Sequence, residues 1–65
     1  MPDVHIMWLE GRTPDQKRKV AERMTQVLME EAGAKSEAVH IVFVDVPATN
    51  FTVAGIPIAD RKRTP

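Results

Sequence analysis

A helix signature between Thr13 and Gly33 dominates this chain. Thr13 offers an N-cap hydroxyl, Pro14 suits the first helical position, and Gln16, three residues beyond the cap, completes a capping box. Gly33 suits the left-handed C-terminal cap. Between them Val20, Ala21, Met24, Val27, Leu28 and Ala32 recur at the spacing of one buried stripe, with Lys19, Glu22, Arg23, Gln26 and Glu30 on the opposite face. A helix of about 19 residues in a chain of 65 leaves room for one strand before it and one after it.

Both flanks read as strands. In DVHIMWL, residues 3–9, Val4, Ile6 and Trp8 alternate with Asp3, His5 and Met7, the period of two expected of a strand with a buried face. In VHIVFVDV, residues 39–46, Val39, Ile41 and Phe43 lie on one side and Val42, Val44 and Val46 on the other, the two-sided apolarity of a buried strand. The connection AKSEA joins helix to strand. The expected fold is α/β (α+β): a single β-α-β unit with a right-handed crossover and two parallel strands. The segment PATNFTVAGIPIAD, with Pro47, Gly55 and Pro57, suits turns or a short hairpin that packs on a neighbouring subunit, and RKRTP is expected to fray. No internal repeat or linker divides the chain, so residues 1–65 form one domain.

Size then dictates association. A chain this short buries only about 60% of its unfolded surface, and small folds compensate with disulfides, a metal or oligomerisation. With no cysteine, disulfides are excluded and the best zinc ligands are absent. One helix and two strands cannot cover both faces and both edges of a sheet, so other copies of the chain are the expected partners.

Nine Lys and Arg balance nine Asp and Glu, so the overall field favours neither nucleic acid nor an acidic membrane. No apolar run reaches membrane-spanning length, and no basic segment precedes an apolar stretch as in a signal peptide. A cytoplasmic location is the default expectation.

The pair Met1-Pro2 carries the most chemistry. Removal of Met1 leaves a secondary amine on Pro2; α-amino groups titrate near ~8, and apolar surroundings lower that value, giving a neutral base near pH 7. Proline at this position is otherwise compatible with a plain extended start. Arg12, beside Gly11 at the helix start, is placed to bind a carboxylate bidentately, or else is a solvated loop arginine or pairs with Glu10 or Asp15. His5 and His40 lie one on each strand and form too sparse a set for a metal; His40 is available to donate a hydrogen bond to a ligand. Lys17, Arg18 and Lys19 read as a solvated face, Trp8 as core or interface, and Phe51 as a wall of an apolar pocket. The methionines at 7, 24 and 29 read as packing.

Taken together, Pro2, LEGR at 9–12, Gln16-Lys17, a helix, a second apolar strand, NF at 50–51 and AG at 54–55 resemble the 4-oxalocrotonate tautomerase family over essentially the whole chain. The resemblance implies a cofactor-independent isomerase built as dimers and usually a homohexamer. The Pro2 amine would take a proton from a 2-hydroxy-dienoate or related enol and return it at a distant carbon, giving a conjugated 2-oxo acid. It implies Arg12 as carboxylate binder and Phe51 as apolar wall. His40 stands where the family has a second arginine from a neighbouring subunit, and Ala54 replaces the first of two glycines. A monocarboxylate enol is thereby favoured over a diacid. The same resemblance admits two alternatives: a hydratase or dehalogenase acting on haloacrylates with a protonated Pro2, and a non-catalytic oligomeric binding protein.

Overall fold

The computed structural model describes residues 2–61. The expected loss of Met1 and fraying beyond residue 61 concern residues outside that range. Strand β1 (Asp3–Leu9), helix α1 (Pro14–Ala32), strand β2 (His40–Val46) and the short strands β3 (Thr52–Val53) and β4 (Ile56–Pro57) follow in order, with single 3-10 turns at Ser36–Ala38 and Ile58–Asp60.

Helix α1 begins and ends where its caps require. The Gln16 backbone N–H donates to Thr13 Oγ1 at 3.1 Å, and the Thr13 backbone N–H donates to Gln16 Oε1 at 2.9 Å. This reciprocal pair satisfies donors that the first turn would otherwise leave bare. At the other end Gly33 adopts φ 70°, and its N–H donates to the Leu28 carbonyl.

β1 and β2 pair in parallel with Asp3 opposite His40, Ile6 opposite Phe43 and Trp8 opposite Asp45. Beyond the strands, His40 N–H donates to the Pro2 carbonyl at 3.0 Å, and Glu10 N–H to the Val46 carbonyl at 2.9 Å. Because successive side chains alternate, Val4, Ile6 and Trp8 share one face with Ile41, Phe43 and Asp45, and that face packs under α1.

One expectation needs correction. Of the helical stripe, Val20, Ala21, Met24 and Leu28 are half-buried, whereas Val27 is 55% exposed and Ala32 is exposed. The sheet below α1 is only two strands wide, so residues at the flank and end of the helix overhang it. The second face of the sheet is open, as expected of one chain: Val42 is 47% and Val44 38% exposed, beside Met7 at 67%. A single chain supplies one helix, and it covers one face.

No described residue is fully buried. The Cα radius of gyration is 15.4 Å, against about 11 Å for a compact chain of this length. The difference comes from an elongated shape, 44 × 22 × 16 Å. The expected hairpin is present: β3 and β4 pair antiparallel around Ala54 (φ 55°) and Gly55 (φ 79°), and expose Val53 and Ile56. Two central residues with positive φ define the tight turn that matches strand twist. An apolar sheet face and an apolar hairpin are thus left uncovered by the single chain.

Candidate active site

The four sequence-designated residues separate into two pairs. At the N-terminal end of the parallel sheet, half-buried Pro2 is joined through its carbonyl to the backbone of His40. The His40 Nδ1 lies 3.0 Å from Asp3 Oδ1, so the imidazole is tied to the neighbouring strand on the open face. The two histidines share that face, but the register sets His5 against Val42 and gives His40 the Asp3 carboxylate as partner.

Arg12 and Phe51 leave from the opposite end. Arg12 follows β1 by three residues, and Phe51 follows β2 by five. Six strand steps separate Asp3 from Leu9, roughly 20 Å. Phe51 is half-buried, and its carbonyl accepts from Ile58 N–H at 2.8 Å, which fixes it at the base of the hairpin.

Around Arg12 lies a group that the sequence pattern did not reveal. The guanidinium carbon stands 5.4 Å from the centre of the Trp8 ring, within cation–π range. Trp8 in turn stacks on Phe43, with centroids 5.2 Å apart and planes 16° from parallel. Its indole Nε1–H donates to Asp45 Oδ1 at 2.7 Å, and Lys17 Nζ donates to Asp45 Oδ2. The bond from Lys17, and after it the bond from Trp8, hold the Asp45 carboxyl below its ordinary value of 3.8.

Lys17 is therefore not on the solvated face where its neighbours lie; it clamps α1 to β2. The available signal was Asp45, an acid on the helix-facing side of an otherwise apolar strand. Asp15 takes Arg18 at 2.9 Å and Lys19 at 3.5 Å. Among the described residues Arg12 forms no ion pair with Glu10 or Asp15 and is exposed, as a solvated loop arginine or an open anion binder would be. Arg12, Trp8, Gln16, Lys19, Val20 and Arg23 line an open cleft of about 370 Å³. Its charged side chains are all cationic, which suits an anion.

Among the described residues, no three His, Cys, Asp or Glu side chains are arranged to hold a metal, and no helix is long and apolar enough to cross a membrane.

Comparison with known proteins gives one consistent result. The family described as "Tautomerase enzyme" matches residues 2–61. The chain is 43% identical to the 2-hydroxymuconate tautomerase of Comamonas testosteroni over 63 residues, covering 97% of this chain and 100% of that one. Among solved structures it is similar to YwhB, a homologue of 4-oxalocrotonate tautomerase, with a TM-score of 0.87 and 33% identity over 94% of this chain and 100% of that one. It is also similar to a chain of a heterohexameric 4-oxalocrotonate tautomerase from Chloroflexus aurantiacus, with a TM-score of 0.85 and 29% identity over 95% of this chain and 100% of that one. The β-α-β unit, the hairpin and these likenesses agree: the chain belongs to the 4-oxalocrotonate tautomerase family of isomerases.

Proposed function

We propose that a homo-oligomer of this chain, with a hexamer as the expected assembly, converts 2-hydroxy-dienoate or similar enol acids to conjugated 2-oxo acids. Pro2, freed of Met1, is the general base: its amine accepts the enol hydroxyl proton and delivers a proton to a distant carbon of the conjugated system. Arg12 binds the substrate carboxylate, and the negative charge that develops on the dienolate is stabilised by the donors around it. Phe51 walls the pocket and keeps the amine in apolar surroundings, which favours its neutral form.

The observation that carries this reading is the position of Pro2 and Arg12 at opposite ends of one strand. A substrate of this class is far shorter than β1, so Pro2 and Arg12 of the same chain cannot share one molecule of it. β1 is paired with β2 along one edge, and its other edge has no partner among the described residues. A two-fold related copy pairing along that edge runs antiparallel and brings Pro2 of one subunit beside Arg12 of the other. The same assembly relieves an unpaired edge, and further copies would cover Met7, Val42 and Val44. The tautomerase relatives in other organisms and the heterohexameric relative support both the reaction class and assembly.

His40 gives the site its expected preference. Tied to Asp3, it offers an imidazole where the family resemblance implies a second guanidinium. It therefore supplies less fixed positive charge for a second carboxylate. A monocarboxylate such as phenylenolpyruvate is the favoured enol over the diacid 2-hydroxymuconate. Ultraviolet assays of both enols, on protein whose mass shows loss of Met1, test this: turnover should fall sharply in Pro2→Ala and Arg12→Ala. A preference of more than about tenfold for the diacid, some 1.4 kcal/mol, would contradict the assignment to His40.

A further inference from the structure

The guanidinium of Arg12 sits on a turn with no ion pair among the described residues. A long, flexible side chain in that setting samples many rotamers, and binding an anion with it requires ordering all of them. Here the ordering is already supplied. The indole plane of Trp8 lies beneath the guanidinium, and two contacts hold that plane, one of them braced by a third residue. Phe43 stacks on it from the paired strand, Asp45 accepts its N–H, and Lys17 holds Asp45 from the helix. All three covered elements, β1, β2 and α1, thus meet in one chain of contacts that ends at Arg12.

We infer that Trp8, locked by Phe43, Asp45 and Lys17, is a positioning residue that orients the Arg12 guanidinium to receive a planar conjugated carboxylate. This rests on the reading of Arg12 as the carboxylate binder. The contact is with the guanidinium carbon over the ring, and a carboxylate can take the N–H donors bidentately. Asp45 does not compete for Arg12 because Trp8 and Lys17 already occupy its two oxygens. The arrangement also explains why an acid occupies a helix-facing position of β2, where packing alone would favour an aliphatic side chain.

Trp8 is the sole tryptophan of the chain, so its emission reports directly on this contact. The probe is cis,cis-muconate, a conjugated dicarboxylate that lacks the enol hydroxyl. It would be titrated against the assembled wild type, Arg12→Ala, Asp45→Asn and the double variant, with thermal melting and oligomer mass checked for each. Binding should shift the emission of the wild type. Asp45→Asn should weaken affinity about fivefold, the upper end for an exposed cation–π contact. In the Arg12→Ala background the same substitution should have less than about a twofold effect, because positioning acts only through the guanidinium. In turnover, Asp45→Asn and Trp8→Leu should raise KM for a carboxylate enol, with Trp8→Phe restoring part of the loss by keeping the stack.

Wild-type affinity in Asp45→Asn, or an equal loss in both backgrounds, would overturn the inference by showing a purely structural network. Where Asp45→Asn fails to assemble, Trp8→Phe against Trp8→Leu reads the same question through KM, and equal KM values for the two would overturn it. Coupled binding without turnover of either enol would contradict the tautomerase reading and still support the positioning role.

Discussion

The two ends of the parallel sheet are built to different standards. At the N-terminal end Pro2, Asp3 and His40 hang on a backbone hydrogen bond and one exposed side-chain contact. At the C-terminal end Trp8, Phe43, Asp45 and Lys17 form a connected network across three elements before Arg12 is reached. The difference follows from where α1 starts. Its first turn lies over the C-terminal end and supplies Lys17, while Pro2 on the far side is left half-buried among the described residues. On the proposed reading, the group that binds charge is held by its own chain, and the amine is desolvated by another.

The largest effects should come from removing one working group at each end. Pro2→Ala replaces the rigid secondary amine of the proposed base with a mobile primary amine and should lower kcat/KM by about 10², and Arg12→Ala should act mainly on carboxylate-bearing substrates. Steady-state rates on a carboxylate enol and on its methyl ester separate the two: the ester should be insensitive to Arg12→Ala and fully sensitive to Pro2→Ala. Equal sensitivity of the ester to both would break the division of labour between the ends.

Next in size is the open sheet face. Val42→Asp places a charge on the patch formed with Met7 and Val44, and an unpaired charge at a covered interface costs several kcal/mol. Sedimentation should show a dissociated and largely unfolded chain at micromolar concentration, whereas an intact oligomer would show that this face is not an interface.

Acid should discriminate the ends more gently. Asp45 titrates below its ordinary value in the folded protein, first because of Lys17 and then because of Trp8. A depressed carboxyl stabilises the fold above its unfolded value, and that contribution is lost as pH falls through the folded value. The difference in melting temperature between wild type and Asp45→Asn should therefore be largest near neutrality and close as pH falls below about 4. A constant difference would show that the Asp45 charge contributes nothing.

The smallest effect belongs to the hairpin. Ala54 occupies the left-handed region at φ 55°, a conformation that costs an L-residue about 1 kcal/mol or more. Ala54→Gly should stabilise by about 0.5–1 kcal/mol in denaturant unfolding of the assembly, offset in part by greater freedom of the unfolded chain.

How much of this was legible in the sequence follows the range of the interactions. The α1 caps depend on residues three apart, and Thr13, Gln16 and Gly33 do in the structure what their spacing implies. The parallel pairing follows from alternation and a helix too long for any other connection. The turn at Ala54-Gly55 was open between turns and a hairpin because composition alone does not fix positive φ at alanine. The Lys17–Asp45–Trp8 network joins residues 28 and 37 positions apart, and no local pattern encodes it. Lys17 was therefore assigned to solvent with Arg18 and Lys19. Val42 and Val44 were read as buried because an apolar side chain signals that it will be covered, not by which chain.

The central claim is that each active site joins Pro2 of one subunit to Arg12 of another, and subunit complementation tests it most directly. Pro2→Ala and Arg12→Ala proteins, each close to inactive alone, would be unfolded, mixed in equal amounts and refolded together. Random assembly of a shared site restores one intact Pro2–Arg12 combination in about a quarter of the sites, so roughly that fraction of wild-type enol turnover should return. Mixed oligomers, confirmed by mass, that remain as inactive as the separate variants would place both groups in one chain and contradict the account.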